Sequence, residues 1–270
     1  MKIGFIGCGN MGEAMLKGII SSKIVELKKI YLHTKNPLHT KSLVEKYQVN
    51  GESSNESVVK NADIIILATK PDMYPIVINE ILSTLNKDKV LVSITPSFTL
   101  DELLNMVDNR SYVVRSIPNT PAMVNKGMTG LSYTKDLPVH LVSDVLNIFN
   151  SFGEVIVVDE SKLSILSTLS GSAPAFIFLF MKSFIEYGFQ NGFTMEELKV
   201  LVGQTFKGST SLFQASNLSI DQLITQVCSK GGSTIEGIYH LNQNEFKHLV
   251  QEALQKTTNR FIEMTLNKLN

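Results

Sequence analysis

The sequence predicts an α/β fold, in which a Rossmann-type domain built on a parallel sheet precedes an all-α domain. The first observation is a short apolar strand that runs directly into the pattern Gly-x-Gly-x-x-Gly at Gly7–Gly12 and then into a helix. The second is the alternation of strand and helix patterns up to about residue 158, which is typical of a doubly wound sheet. The third is the change after Asp159, beyond which only helical spacing remains. Together they predict one domain over residues 1–159 and a helical domain over residues 160–270.

Each element of the first domain follows from its hydrophobic period. Apolar runs bounded by turn residues predict strands, and apolar residues three and four apart predict the helices between them. The predicted strands are Lys2–Ile6, Lys29–His33, Ile64–Ala68, Val90–Ile94, Tyr112–Ser116, Gly127–Tyr133 and Val155–Val158. The predicted helices are Gly12–Ser21, Thr40–Tyr47, Tyr74–Leu85, Leu100–Met106 and Val139–Phe149.

The second domain shows helical periodicity throughout. The predicted helices are Lys162–Leu169, Ala173–Gln190, Met195–Phe213, Ile220–Val227 and Asn244–Leu269. We expect the small residues Ser170-Gly171-Ser172 to separate the first two of these helices, with Pro174 in the first turn of the second. The most apolar run, Ala175–Met181, stops at Lys182, so it is too short to span a membrane and predicts a buried helix.

Composition narrows the classes of partner. The 270 residues contain 25 Lys and Arg and 25 Asp and Glu, so the net charge is zero. A neutral chain gives no electrostatic support for binding nucleic acid or an anionic membrane, which favours a small-molecule substrate. The two cysteines, Cys8 and Cys228, form neither a disulfide framework nor a metal-ligand spacing, and this favours the reducing cytoplasm.

The glycine motif has a specific physical meaning. Gly7 permits a tight turn out of the strand, Gly9 lets a pyrophosphate approach the backbone, and Gly12 lets the helix pack against the sheet. The N-terminus of that helix offers free N–H groups and a partial positive charge to phosphates. The segment Gly7, Cys8, Gly9, Asn10, Met11 and Gly12 is therefore the predicted dinucleotide-binding loop; a plain tight turn is the alternative.

The end of the second strand indicates which nicotinamide cofactor is preferred. An acidic residue there would bind the adenosine ribose of NADH and repel a 2′-phosphate. The segment Thr34-Lys35-Asn36 contains no acid, offers hydrogen-bond donors and adds a positive charge. It therefore favours NADPH, with NADH possible; an ordinary solvated loop is the alternative.

Two further segments end predicted strands with proline. Lys70-Pro71 follows the strand at Ile64–Ala68, and Asn119 lies in the rigid turn after Tyr112–Ser116. Ligands of open α/β sheets bind at the carboxyl ends of strands, so both segments could touch a cofactor. The residues alone leave a structural turn equally open.

The segment Ser229–Thr234 has the features of an anion-binding helix start. Gly231 and Gly232 precede Ser233 and Thr234 and then an apolar helical pattern, so hydroxyls and free N–H groups converge. Such a site would suit a carboxylate; a simple connection between two helices is the alternative.

Chemistry that needs a triad, a metal cluster or paired carboxylates has no candidate residues here. The five histidines, His33, His39, His140, His240 and His248, are scattered and are expected at surfaces or interfaces. Reduction of an iminium fits this pattern, because a pocket that orients hydride donor and acceptor needs no general base.

Taken together, these segments resemble the pyrroline-5-carboxylate reductase family. The resemblance covers essentially the whole chain and rests on Gly7–Gly12, Ala68-Thr69-Lys70-Pro71, Val114–Pro121, Ser170–Ala175 and Ser229–Thr234. Two residues depart from the family pattern: Ala173 replaces a glycine and Lys230 replaces a proline. These departures bear on activity, because similar sequences include competence-related paralogues.

The resemblance implies a fold, an assembly and residue roles. It implies a helical dimerisation domain, a homodimer that can associate into a decamer of five dimers, and an active site shared between subunits. It implies reduction of L-1-pyrroline-5-carboxylate to L-proline, the last step of proline biosynthesis. The implied cofactor residues are Gly7–Gly12, Thr34, Lys35, Asn36, Asn55, Ala68, Thr69, Lys70, Pro71 and Asn119.

The implied substrate residues lie in the second domain. Ser229, Gly231, Gly232, Ser233 and Thr234 would hold the substrate, and the Thr234 hydroxyl would bond the ring nitrogen as the catalytic contact. Two other functions remain as alternatives: a non-catalytic, competence-related cofactor-binding protein and a β-hydroxyacid-type dehydrogenase. The second of these would place an asparagine three or four residues after a helical lysine, and Lys162 is followed by Leu163-Ser164-Ile165-Leu166.

Overall fold

The computed structural model describes residues 1–266, with the backbone alone at Leu266. Its strands are β1 Ile3–Ile6, β2 Ile30–His33, β3 Asn50–Gly51, β4 Ile64–Leu67, β5 Val90–Ser93, β6 Tyr112–Ile117, β7 Gly127–Tyr133 and β8 Gly153–Val157. Its helices are α1 Asn10–Ser22, α2 Pro37–Tyr47, α3 Asn55–Asn61, α4 Tyr74–Ile81, α5 Leu100–Met106, α6 Val139–Asn150, α7 Leu163–Leu166, α8 Ala173–Gln190, α9 Met195–Ala215, α10 Ile220–Val227, α11 Ser233–Gln243 and α12 Phe246–Leu266.

The strands form one sheet in the order β3-β2-β1-β4-β5-β6-β7-β8. The chain moves outward from β1 through β2 to β3 and then returns to place β4 on the other side of β1. This reversal brings the carboxyl ends of β1, β2 and β4 together at the switch point, where doubly wound sheets bind ligands. The predicted Rossmann-type fold is confirmed.

The core explains why these strands read as continuous apolar runs. Ile64, Ile65, Ile66 and Leu67 of β4 are all fully buried, because helices cover both faces of the sheet. Two apolar clusters result, one involving α1, α2 and α6 and the other involving α3, α4 and α5. The sheet is thereby held as a rigid platform for the loops at its edge.

The predicted parallel sheet does not extend to β7, for which the sequence predicts an extra strand but no direction. β7 pairs antiparallel with β6, and β8 then pairs parallel with β7. The connection between β6 and β7 holds only a short 3₁₀ turn at Thr120–Val124, with no crossover helix, so the chain runs back beside β6. The prediction also omitted β3, which has two residues, and α3, whose buried apolar residues Val58 and Val59 are adjacent and show no helical spacing.

The predicted break at Ser170-Gly171-Ser172 is wrong. Residues Ser167–Ser172 form a π-helical segment that joins α7 directly to α8. Pro174 lies four residues after Ser170 and has no N–H to donate to the Ser170 carbonyl, which instead accepts from the Asn119 side chain at 2.9 Å. A widened turn and an outside donor therefore let the helix pass the proline. Ala173 starts α8 with helical backbone, so the family glycine is not required there.

The chain divides into two compact units. One comprises Met1–Ser172 together with the chain from Thr257 onward, and the other is Ala173–Lys256. The boundary after residue 159 stays a prediction. The last predicted helix begins at Phe246, not at Asn244, and its residues 267–269 lie outside the described part of the chain.

The prediction of a buried helix at Ala175–Met181 is also wrong for the single chain. Phe178 is 62% exposed and Leu179 is 64% exposed. The helix passes through Lys182, which pairs with Glu186 four residues later at 3.5 Å. By length and composition alone the helical stretch Glu160–Gln190 could cross a membrane, and only 17% of its most apolar window is buried. The apolar side chains of α8 therefore need a cover that the single chain does not supply.

Candidate active site

The turn after β1 gives each glycine of the motif the environment its predicted role requires. Gly7 has φ +76°, and a Cβ there would lie 2.7 Å from Thr69 Cγ2 and 2.8 Å from the Ala68 carbonyl oxygen. A Cβ on Gly12 would lie 3.0 Å from the Ala68 Cβ, so α1 packs closely on the end of β4. A Cβ on Gly9 would meet no atom within 4 Å. The loop therefore has a turn that requires glycine, a close packing contact and an open backbone face.

Cys8 and Glu13 add little negative charge to this loop. Burial raises the pKa of the Cys8 thiol to about 12, with the Glu13 carboxylate adding to the shift, so the thiol is neutral at physiological pH. Hydrogen bonds from Lys46 and Tyr47, both 2.8 Å long, lower the pKa of Glu13 and keep it ionised, and the positive charge of Lys46 offsets that of the carboxylate. An anion can therefore approach the start of α1.

The segment after β2 lies next to the glycine loop, since the Gly7 amide donates to the His33 carbonyl at 2.8 Å. Thr34 is buried, and its hydroxyl donates to the Asn36 carbonyl at 2.9 Å. The Asn36 side-chain oxygen accepts from the Leu38 amide and caps α2. Lys35 is exposed, so it is the side chain of this segment best placed to meet a 2′-phosphate.

Asn55 is tied to protein groups on both sides. Its Oδ1 lies 2.8 Å from His33 Nδ1, and its Nδ2 donates to Glu80 Oε2 at 2.6 Å. The chain His33–Asn55–Glu80 links the end of β2 to α3 and α4. Asn55 is thus brought to the same edge as the glycine loop.

The segment Ala68–Pro71 lies directly against the glycine loop. Besides its contacts with Gly7 and Gly12, the Ala68 amide donates to the Ile6 carbonyl at 2.8 Å. Among the described residues the buried Thr69 hydroxyl oxygen has no hydrogen-bond partner, and Lys70 is exposed. Pro71 begins a 3₁₀ turn that takes the chain away from the edge.

Asn119 is buried, and its side chain holds other parts of the chain in place. Its Nδ2 donates to the Ser170 carbonyl at 2.9 Å, and its Oδ1 accepts from the Met128 amide at 2.8 Å. The amide therefore ties the end of β6 to β7 and to the π-helical segment. These bonds give Asn119 a positioning role, while direct contact with a cofactor stays a prediction.

The predicted substrate loop lies in the other compact unit, between α10 and α11. Gly231 has φ +72°, and the Gly232 amide donates to the Ser229 carbonyl at 3.0 Å. A Cβ on Gly232 would overlap the Ser229 hydroxyl, so a larger residue there would require the Ser229 side chain to rotate away. Ser229, Ser233 and Thr234 are exposed around this turn.

The N-terminal cap of α11 shows whether the Thr234 hydroxyl serves as a helix cap. The residue that caps the helix is Gly232, and no side chain makes a capping hydrogen bond. Ser233 and Thr234 occupy the first two helical positions, where backbone N–H groups have no partner within the helix. The Thr234 hydroxyl is therefore not the cap and is open to a ligand.

Two further features of the site bear on its chemistry. Among the described residues there is no group of three or more His, Cys, Asp or Glu side chains that could hold a metal ion. His39, which the sequence placed among ordinary surface histidines, instead reaches the glycine loop, where its Nε2 lies 2.9 Å from the Cys8 carbonyl oxygen. The position of His39 in the sequence, far from the Gly7–Gly12 motif, gives no indication of this contact.

Known families match both parts of the chain. Residues 160–264 match the family described as pyrroline-5-carboxylate reductase dimerisation, and residues 2–97 match NADP oxidoreductase, coenzyme F420-dependent. The chain is 37% identical to the pyrroline-5-carboxylate reductase of Escherichia coli K12, over 94% of this chain and 95% of that protein. It is 30% identical to the reductase of Staphylococcus epidermidis, over 98% of both chains.

Solved structures show the same similarity to pyrroline-5-carboxylate reductases as the sequence comparisons. A Plasmodium falciparum pyrroline carboxylate reductase with NADP bound has a TM-score of 0.89 and 32% identity, covering 98% of both chains. A pyrroline-5-carboxylate reductase from Coxiella burnetii has a TM-score of 0.91 and 30% identity, again over 98% of both chains. Sequence motifs, fold and full-length similarity coincide, and the chain belongs to the pyrroline-5-carboxylate reductase family.

Proposed function

We propose that this protein reduces L-1-pyrroline-5-carboxylate to L-proline with NADPH, the last step of proline biosynthesis. The observation that carries the proposal is the conjunction of a dinucleotide loop with an open face at Gly9 and an exposed Ser229–Thr234 helix start, in a chain 37% identical to a reductase of that name. Fold alone would not suffice, because Rossmann-type domains serve many reactions.

The residues present fit a nicotinamide dinucleotide. The open backbone face at Gly9 leaves room for a pyrophosphate beside the first N–H groups of α1. The buried, unpartnered Thr69 hydroxyl lies at the same edge. Lys35 offers a positive charge to a 2′-phosphate, and Lys70-Pro71 would flank the nicotinamide half. Thr34, Asn36, Asn55 and Asn119 would shape the site through the bonds described above.

Bound NADPH would supply the hydride. In the substrate loop, the Ser229 hydroxyl and the backbone N–H groups of Ser233 and Thr234 would bind the substrate carboxylate, and Lys230 adds a positive charge nearby. The Thr234 hydroxyl would accept a hydrogen bond from the protonated ring nitrogen and so fix which ring carbon faces the cofactor. Orientation then does most of the catalytic work, because the iminium carbon is already electrophilic.

We also propose a homodimer, formed through the helical domain, with a decamer of five dimers as a further assembly. Of α8 and α9 only Gly188, Leu198 and Val202 are buried, while Phe178, Leu179 and many other large apolar side chains are exposed. Such a face is too large and apolar for a monomer in water. Sedimentation of the active protein should show no stable monomer. A partner helix bundle accounts for the apolar α8, so no membrane is required.

The alternatives gain no support from the site. The asparagine that a β-hydroxyacid dehydrogenase would need after Lys162 is absent from the helix, and full-length relatives carry the reductase name. Both cysteines are free, which suits the reducing cytoplasm as the location. A non-catalytic paralogue would bind NADPH without turnover.

Expression of the protein in a bacterium that lacks its own reductase distinguishes a reductase from such a paralogue. Growth without added proline supports the proposal, and failure to grow despite folded protein refutes it.

We expect NADPH to give a higher kcat/KM than NADH. Replacing Lys35 by Glu places a negative charge where the 2′-phosphate would lie, so the preference should move towards NADH. At an exposed site the change should be modest, about tenfold in the ratio of the two kcat/KM values. Lys35→Gln is the control, since it removes charge without adding repulsion. Equal or better use of NADH by the wild type would refute the prediction.

A further inference from the structure

His39 connects the segment expected to meet the 2′-phosphate with the loop expected to meet the pyrophosphate. It lies in the first turn of α2, and its Nε2 is 2.9 Å from the Cys8 carbonyl oxygen. A carbonyl oxygen can only accept a hydrogen bond, so Nε2 carries the proton and donates it. Cys8 is 31 residues away in sequence, and the contact exists only in the folded chain.

The hydrogen bond from His39 to the Cys8 carbonyl fixes the orientation of the peptide group between Cys8 and Gly9. No peptide bond in the described chain is cis, so the Cys8 carbonyl and the Gly9 N–H lie in one rigid plane and point in opposite directions. While His39 holds the oxygen on one side, the Gly9 N–H is directed to the other. Within residues 1–266 that N–H donates to no protein acceptor, and the space around Gly9 is open.

The helix that carries His39 is itself fixed. At its other end Lys46 and Tyr47 both bond Glu13 of α1 at 2.8 Å. Near its start the Gly7 amide bonds the His33 carbonyl at the end of β2. The imidazole is therefore presented to the loop from a helix anchored at both ends, which limits how far the Cys8–Gly9 peptide can rotate.

We infer that His39 is a positioning residue for cofactor binding: by holding the Cys8 carbonyl it aims the Gly9 N–H at the pyrophosphate of the dinucleotide. The inference rests on the proposed function. It makes a specific prediction about the binding of the two cofactors, since NADPH and NADH share the pyrophosphate and differ at the 2′-phosphate. Loss of the His39 bond must weaken both cofactors alike, whereas direct contact of His39 with the 2′-phosphate would weaken NADPH alone.

The test is the dissociation constant of NADPH and of NADH, measured by fluorescence titration of the purified protein. His39→Leu should raise both constants about tenfold, as expected for loss of one hydrogen bond that orients a charged contact. His39→Gln can still donate from a similar position and should stay within about threefold of the wild type. Ser42→Ala, at an exposed position of α2 that takes no part in anchoring the helix, is the matched control and should change neither constant. The KM for pyrroline-5-carboxylate and kcat at saturating cofactor should not move.

Other outcomes overturn the inference. A loss confined to NADPH would show direct contact with the 2′-phosphate, and a lower Tm with unchanged constants would show a purely structural role. If His39→Leu does not fold, His39→Gln is compared with His39→Asn, which is too short to reach Cys8; equal binding by these two refutes the role. If the wild type binds neither cofactor, the proposed function fails too, whereas a wild type that binds both and an unaffected His39→Leu refute this inference alone.

Discussion

Replacing Gly9 by Val should weaken cofactor binding severely and leave the fold intact. Gly9 has φ −77° and ψ −165°, an extended conformation that valine adopts readily, and a Cβ at this position would meet no atom of the described residues within 4 Å. The added methyl groups would occupy the space proposed for the pyrophosphate. We expect the dissociation constants of NADPH and NADH to rise on the order of a hundredfold or more, which is about 2.7 kcal/mol. Binding titration and thermal melting of the same sample measure both effects.

The matched variant is Gly7→Val, which should lower the stability of the fold instead of blocking the cofactor directly. Gly7 has φ +76°, and its side chain would press on Thr69 and the Ala68 carbonyl. Both the backbone strain and the overlap act on the folded state, so Tm should fall, with a destabilisation of about 1–3 kcal/mol or more. If Gly9→Val binds NADPH as the wild type does, the loop is a structural turn and the cofactor site lies elsewhere.

Replacing Thr234 by Ala should lower kcat/KM for pyrroline-5-carboxylate about tenfold to a hundredfold, since one hydrogen bond to a charged iminium contributes on the order of 1.5–3 kcal/mol. NADPH binding should be nearly unchanged, because the glycine loop lies in the other compact unit. Tm should also be unchanged, because Gly232 and not Thr234 caps α11.

Thr234→Ser keeps the hydroxyl and is the control for this variant. It should retain most of the activity, because its oxygen can reach the same ring nitrogen. Full activity of Thr234→Ala with a normal Tm would remove Thr234 from the proposed catalytic contact. A parallel loss in both variants would point to the methyl group and its packing.

Local sequence signals predicted most of the sheet and the glycine loop. Runs such as Ile64–Leu67 are apolar on both faces, and the Gly7–Gly12 pattern fixes the turn, the helix start and the packing of α1. These features depend on residues close together in the chain. The helix α3 was missed because its apolar residues, Val58 and Val59, are adjacent and do not recur at helical spacing.

The remaining features depend on contacts between distant residues. The antiparallel β7 follows from the short β6–β7 connection, and the unbroken helix at Pro174 depends on a bond from Asn119 to Ser170, 51 residues away. The roles of His39 and Asn119 likewise exist only once separate segments meet. The exposure of α8 could not be predicted from apolar content, which is the same for a helix buried in its own chain and one covered by a partner.

The most direct test of the proposed function is the amount of L-proline formed for each NADPH oxidised. Purified protein, NADPH and L-1-pyrroline-5-carboxylate are combined, NADPH is followed by its absorbance, and proline is quantified in the same sample. The proposal predicts saturable turnover with one L-proline for each NADPH. NADPH binding without turnover, or oxidation of NADPH without formation of proline, would contradict it.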